Sequence, residues 1–239
     1  MDMKFIVTLI TSLLVLGIAL TATAQTIKTT DEISEGLACG ATLRMQDLGQ
    51  DAMGIKLFQN QCKTIIKKIP DASFYGGKSL VMDEVGVHMA RTWKIVGEGK
   101  IEGLWGKKLK AILPENNCFL IYSLYVKDGT IDNEYPIDKK DLDYFLSTTN
   151  YLSFEGRMYT FEEYIQDHGG QGAIILQEDL ELKSGQTYGV GVYSSEKSAF
   201  GDLKKFIAGG DLPNEGSTII VFGEISYLKD TSKWGCYQI

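Results

Sequence analysis

The first twenty-four residues constrain this chain most, because they predict the compartment in which the remainder folds. A short start carrying Lys4 leads into an almost wholly apolar run from Phe5 to Leu20, and the small residues Ala22 and Ala24 form a cleavage motif. This is the layout of a cleaved secretory signal. The alternative is an uncleaved membrane anchor, but a bilayer span needs about 20 apolar residues, more than this run provides. We therefore expect a signal peptide over 1–24, a periplasmic or secreted protein, and no stable membrane span after cleavage.

Four cysteines follow the predicted signal. An even number of cysteines in an exported chain predicts disulfide bonds, and four cysteines can pair in three ways. Of these we favour Cys39–Cys62 and Cys118–Cys236. No two cysteines form a Cys-x-x-Cys pair, so we expect neither a structural zinc site nor a redox motif. No metal or cofactor is expected.

The charge of the chain is unevenly distributed. Residues 39–110 carry twelve Lys and Arg against seven Asp and Glu, whereas residues 111–239 carry ten against twenty. This asymmetry predicts two parts, or one unit with two electrically distinct faces. We place a helix-plus-β N-terminal part at 25–146 and an acidic β-rich C-terminal domain at 147–239. Nucleic acid is a poor partner for the acidic part, because phosphate binding requires clustered Lys and Arg.

In the N-terminal part, apolar residues at three- and four-residue spacing before Pro70 predict a helix, and period-two alternation around His88 predicts a strand. A nearly continuous apolar run follows, and the Asp-Gly pair after it favours a tight turn. The predicted elements are a helix over 50–69, a strand over 85–95, a strand over 118–126, a hairpin of 119–127 with 130–135, and a short helix capped by Asp138 and using Leu142, Phe145 and Leu146.

The C-terminal part has mainly strand patterns. The predicted elements are a strand over 150–160 bent at Gly156, strands over 173–182 and 187–194, a helix over 201–208, and strands over 217–228 and 233–239. This order resembles that of the five-stranded oligonucleotide/oligosaccharide-binding (OB) barrel. A small β-sandwich would give a similar pattern. The expected fold class is α+β and β-rich, with an OB-like barrel or small β-sandwich at the C-terminal end.

Catalytic patterns are weak throughout the chain. His168 lies in a predicted loop near Glu162, where an imidazole beside carboxylates could bind a cation or accept a proton, but no His-Glu-x-x-His motif accompanies it. The spacing Ser194 to Lys197 is that of an acyl-enzyme serine and its lysine, but it recurs at Ser226 to Lys229 and lacks its companion motifs. We therefore assign no catalytic residue.

Tyrosines are concentrated in the second half of the chain, and a tyrosine ring can stack on a sugar or anchor a protein interface. The candidate binding residues are Tyr151, Tyr159, Tyr188, Tyr193 and His168. The function favoured by these patterns is an exported, non-catalytic binding or accessory protein with a protein or glycan ligand. Two alternatives stay open: an envelope-associated structural protein, and a secreted hydrolase with a dispersed site drawn from Glu155, Glu162, Asp179 or His168.

Overall fold

A computed structural model of the chain describes Cys39 and residues 63–69, 77–98, 118–153, 155–166, 172–194, 218–232 and 234–238. These residues lie in one unit that extends from Cys39 to Ile239. The described strands are β1 (Ile65–Ile69), β2 (Cys118–Val126), β3 (Ile137–Asp138), β4 (Asn150–Leu152), β5 (Met158–Thr160), β6 (Gly172–Leu176), β7 (Glu181–Leu182), β8 (Thr187–Ser194) and β9 (Thr218–Glu224). The described helices are α1 (Gly77–Ile95), α2 (Lys139–Thr148), α3 (Phe161–Gln166) and α4 (Ile225–Lys229).

Five of these strands form one mixed sheet in the order β1-β2-β8-β9-β6. The outer pairs, β1 with β2 and β6 with β9, are parallel, whereas β8 pairs antiparallel with both β2 and β9. Strands β3 with β7, and β4 with β5, form two small antiparallel ladders outside this sheet. The fold is therefore α+β around a five-stranded mixed sheet.

One face of the sheet packs against the helices. Tyr188 and Val190 of β8 belong to the same buried cluster as Val85, Met89 and Trp93 of α1, and all five side chains are at most 1% exposed. Full burial of a large apolar side chain contributes about 1.5–3 kcal/mol. This layer, to which α2 and α3 also contribute, is thus the main source of apolar stabilisation among the described residues.

The other face of the sheet carries a second, smaller core. Its buried members are Cys118, Leu120, Tyr193, Ile219, Val221, Leu228, Trp234 and Cys236. The predicted disulfide Cys118–Cys236 is confirmed, with the two Cα atoms 4.4 Å apart. The Tyr237 backbone N–H donates to the Cys118 carbonyl at 2.9 Å, so the C-terminal segment is held beside β2. Cys39 is also disulfide-bonded, and its predicted partner Cys62 lies outside the described residues.

Close approach of α4 to the sheet depends on a glycine in β8. A Cβ atom at Gly189 would lie 2.8 Å from both Leu120 Cδ2 and Leu228 Cδ1, which is closer than carbon atoms pack. In the alternation Tyr188-Gly189-Val190-Gly191, the large side chains thus face the layer of α1, α2 and α3. The glycines, which have no side chain, face the side of the sheet that carries α4. The sequence of β8 is therefore matched to two layers at different distances from the sheet.

Three sequence predictions are confirmed. β2 and β8 have the predicted bounds Cys118–Val126 and Thr187–Ser194. Asp138 caps α2 as expected, because its side chain accepts a hydrogen bond from the Asp141 backbone N–H at 2.8 Å. Leu142 and Leu146 of that helix are buried.

Three predictions in the N-terminal part are wrong. Residues 85–95, predicted as a strand, belong to helix α1, so His88 lies within a helix. Residues 65–69, predicted as the end of a helix, form the edge strand β1, and the rest of that predicted helix, 50–64, lies almost wholly outside the described residues. The predicted hairpin with 130–135 is also absent, because β2 pairs with β1 and β8 and residues 130–135 are turns.

The predicted strands of the C-terminal part are shorter than expected. Residues 150–160 form the hairpin β4–β5, in place of one bent strand, and helix α3 follows it directly. Residues 173–182 divide into β6, a turn and β7, and residues 217–228 divide into β9 and α4. Of the predicted strand 233–239, the described residues 234–238 contain only a bridge between Tyr237 and Phe119. The predicted helix at 201–208 lies outside the described residues.

The predicted OB-like barrel is not found among the described strands. β1 and β6 lie at opposite edges of the sheet and do not pair, so the sheet is open. The sheet also draws β1 and β2 from before residue 147 and β6, β8 and β9 from after it, on both sides of the predicted domain boundary. None of the helices described here is both long and apolar enough to cross a bilayer.

Candidate functional site

A single residue, Thr149, separates α2 from the hairpin β4–β5, which lies outside the main sheet. Tyr151 pairs with Tyr159 and Leu152 with Met158, and the Ser153 backbone N–H donates to the Arg157 carbonyl at 2.8 Å. Gly156 closes the turn with a φ of 77°, a conformation that glycine adopts at no steric cost. Alternation along each strand therefore gives the hairpin two faces with different side chains.

The inner face of the hairpin is aromatic. The ring of Tyr151 lies 5.0 Å from Phe161 and 5.2 Å from Tyr164, and the ring of Tyr159 lies 6.1 Å from Tyr164. These centroid distances are within the range at which aromatic pairs attract each other. The hairpin is thus packed against α3 by the rings of its central cross-strand pair.

Helix α3 is held at its start by a reciprocal pair of hydrogen bonds. The Thr160 backbone N–H donates to Glu163 Oε2 at 2.8 Å, and the Glu163 backbone N–H donates to Thr160 Oγ1 at 3.1 Å. This is a capping box, which satisfies backbone donors at a helix N-terminus. The last residue of the hairpin and the first turn of α3 are therefore one rigid unit.

A partly buried hydrogen bond joins α3 to the turn that follows α1. The hydroxyl of Tyr164, which is 1% exposed, donates to Glu98 Oε1 at 2.7 Å. Burial raises the pKa of the Tyr164 hydroxyl far above its usual value, and the hydrogen bond to Glu98 raises it further. Glu98 has a backbone φ of 55°, in the left-handed region that non-glycine residues rarely adopt. The aromatic support of the hairpin thus ends in a charge-assisted hydrogen bond to a strained residue.

The outer face of the hairpin is apolar and open. The side chains of Leu152 and Met158 are 63% and 60% exposed, although they are direct cross-strand partners. Other large hydrophobic side chains exposed in the described part of the chain are Ile66, Tyr135, Tyr144 and Tyr237. Of these six exposed side chains, Leu152 and Met158 are the two that are cross-strand partners in a β-ladder. The hairpin therefore presents a small apolar surface on a rigid, buried support.

The structure separates the predicted binding tyrosines into two groups. Tyr151 and Tyr159 are half-buried in the hairpin, whereas Tyr188 and Tyr193 are 0% and 8% exposed in the two cores. The Tyr188 hydroxyl donates to the Glu181 carbonyl at 2.8 Å and accepts from the Lys183 backbone N–H at 2.7 Å. Burial raises the pKa of Tyr188 to about 12. The hydroxyl of Tyr188 thus forms its hydrogen bonds with groups of the protein itself.

His168, the remaining predicted binding residue, lies outside the described residues. The other histidine, His88, is buried in α1, where its Nδ1 lies 2.7 Å from the Glu84 carbonyl and its ring meets the edge of Tyr122.

The carboxylates considered for a hydrolase are differently placed. Glu155 is exposed in the hairpin turn. Glu162 and Asp179 accept hydrogen bonds from the side-chain amides of Gln166 and Gln177. No group of three or more His, Cys, Asp or Glu residues in the described ranges is arranged to hold a metal ion.

Sequence reasoning did not identify Leu152, Met158, Glu98 or Tyr164 as functional candidates. The hairpin could have been predicted from Glu155-Gly156-Arg157, a turn sequence between two Tyr-containing runs, and the start of α3 from the Thr-x-x-Glu pattern at 160–163. The contact between Glu98 and Tyr164 spans 66 residues, and no local pattern encodes it.

No protein-family model matches the chain, and searches of curated proteins and of solved structures find no similar protein.

Proposed function

We propose that this protein is an exported, non-catalytic binding module that recognises another protein through the hairpin β4–β5. The observation that carries the proposal is the exposed cross-strand pair Leu152 and Met158 on a hairpin whose opposite face packs against the rings of α3. Exposed apolar side chains on a rigid support are typical of protein interaction sites, because the partner removes them from water without a large ordering cost.

A protein suits this surface better than a glycan does. Sugar binding relies on flat aromatic faces and on hydrogen bonds to hydroxyl groups, and the outer face of the hairpin offers an aliphatic side chain and a thioether. The rings that could stack on a sugar, those of Tyr151 and Tyr159, contact Tyr164 instead. Export is supported by the disulfide Cys118–Cys236, because disulfide bonds persist in oxidising compartments.

The test is affinity capture from an extracytoplasmic extract with the disulfide-intact protein and with the double variant Leu152→Thr/Met158→Thr. Threonine keeps strand propensity but removes most of the apolar surface. We expect the variant to retain the partner at least tenfold less well, with a free energy of unfolding within about 0.5 kcal/mol of the native value, since both side chains are exposed.

Ile66→Thr is the matched control, because Ile66 is 69% exposed on a different strand, β1. This control should retain the partner fully. Equal retention by native protein and the double variant would contradict the proposal, as would turnover of an ester, peptide or glycan substrate that a single substitution abolishes.

A further inference from the structure

The hydrogen-bond register of the hairpin determines where its remaining backbone groups point. In an antiparallel pair, hydrogen-bonded and non-hydrogen-bonded residue pairs alternate. Ser153 and Arg157 are a hydrogen-bonded pair, so Tyr151 and Tyr159 are the next one. Leu152 and Asn150 therefore occupy non-hydrogen-bonded positions, and their N–H and C=O groups point away from β5.

The corresponding outward edge of β5 is partly occupied. Thr160 is the partner of Asn150, and its outward N–H donates to the Glu163 carboxylate at 2.8 Å. On β4, no described strand other than β5 pairs with the backbone, and Asn150 is exposed beside Leu152. β4 thus has an open edge whose four outward backbone groups adjoin the exposed Leu152 and Met158 side chains.

We propose that β4 accepts an extended segment of a partner protein as a third strand of this hairpin. The inference rests on the proposed function and identifies the binding mode at the same surface. Backbone hydrogen bonds to Asn150 and Leu152 provide the affinity, and apolar side chains at alternate positions of the added segment extend the apolar face that Leu152 and Met158 begin. The partner segment is therefore extended, with apolar residues at every second position.

The charge of the surrounding chain selects the kind of partner. Residues 138–166, which contain the hairpin and its flanking helices α2 and α3, carry three Lys and Arg against six Asp and Glu. A second copy of this chain would bring two acidic surfaces together, which is electrostatically unfavourable. The occupant is therefore a neutral or basic segment of a different protein.

Asn150→Pro tests strand addition with little disturbance of the fold. Proline removes the outward N–H of Asn150, and such a position on an edge strand tolerates proline. The preceding residue, Thr149, already has φ −87° and ψ 127°, the extended conformation that a residue before proline requires. Asn150→Ala is the matched control, since it removes the same side chain and keeps the N–H group.

The probe is a seven-residue peptide of alternating valine and threonine with a lysine at each end, and its effect is followed by amide chemical shifts. We expect saturable shifts at Asn150 to Ser153 in the native protein and in Asn150→Ala. The peptide should bind Asn150→Pro at least tenfold more weakly than it binds the native protein. A version of the peptide N-methylated at alternate backbone nitrogens should bind the native protein tenfold more weakly than the unmethylated peptide does. Equal binding to the proline and alanine variants, or shifts elsewhere in the chain, would overturn the proposal.

Two further readouts separate this inference from its alternatives. If capture of the natural partner falls in Leu152→Thr/Met158→Thr but is the same for Asn150→Pro and Asn150→Ala, the hairpin binds through side chains and strand addition is wrong. If native protein and Asn150→Ala sediment as dimers while Asn150→Pro is monomeric, the occupant is a second copy and the proposal is likewise overturned.

Discussion

Glu98 shows how one residue supports the candidate site. Its left-handed backbone is disfavoured by about 1–2 kcal/mol for a residue with a Cβ atom, whereas the neighbouring left-handed residue, Gly97, has no such cost. The carboxylate of Glu98 offsets this cost by accepting a hydrogen bond from the hydroxyl of Tyr164. This hydrogen bond anchors α3 and, through α3, the hairpin. Strain at a residue that positions the proposed binding hairpin agrees with the general occurrence of strained backbone near functional sites.

This balance predicts energetic coupling between Glu98 and Tyr164 in a double-mutant cycle. In the native protein, Glu98→Gly should lower the free energy of unfolding by about 1 kcal/mol, because the loss of the hydrogen bond outweighs the relief of strain. In a Tyr164→Phe background the same substitution should lower it by at least about 0.5 kcal/mol less, because the hydrogen bond to Tyr164 is already absent there. Urea unfolding of the four proteins measures both changes, and an equal effect in both backgrounds would contradict the account.

At the scale of the element, burial on several sides explains the wrong prediction for α1. Nine of its residues are buried, including His88 and Thr92, so its apolar residues do not form the narrow stripe by which a surface helix is identified. A four-residue spacing is nonetheless present in Val81, Val85, Met89 and Trp93. For β1, five residues are too few to distinguish a strand from a helix by periodicity alone.

The elements predicted well were those with a local cause. The Asp138 cap of α2 depends on residues three apart, and β8 carries a period-two alternation within its own eight residues. The candidate site could be predicted only in part. Tyr151 and Tyr159 were identified from residue type, but the exposure of Leu152 and Met158 depends on a turn that reverses the chain and on a tertiary contact to Glu98.

The close contact between α4 and β8 gives a prediction at this scale. Gly189→Ala should lower the free energy of unfolding by about 1–3 kcal/mol, because the added methyl group overlaps Leu120 and Leu228. In a Leu228→Ala background the loss should be smaller, since one of the two overlapping side chains has been shortened. Thermal unfolding of the four proteins measures the difference. A neutral Gly189→Ala substitution would contradict the packing described for this face.

At the scale of the whole molecule, the Cys118–Cys236 disulfide closes a loop with a sequence separation of 118. A cross-link of this length stabilises a protein by about 4–5 kcal/mol, chiefly by restricting the unfolded chain. We expect Cys118→Ala/Cys236→Ala to lose about this much free energy of unfolding while it keeps the native sheet. Substitution is preferable to chemical reduction, because Cys39 is disulfide-bonded as well. A loss below about 1 kcal/mol, measured by urea unfolding, would contradict this assignment.

The position of β8 in the middle of the sheet has a consequence for biosynthesis. Its neighbour β2 is synthesised more than sixty residues before it, and the cysteine that pairs with Cys118 is synthesised 118 residues later. At a translation rate of about 5–20 residues per second, the almost wholly apolar strand β2 waits about 3–12 s for β8 and about 6–24 s for Cys236. Until β8 is synthesised, the edge of β2 that β8 covers can pair with other chains. Folding is therefore completed after synthesis of this region, and the nascent chain should depend on factors that hold unfolded proteins in an unaggregated state.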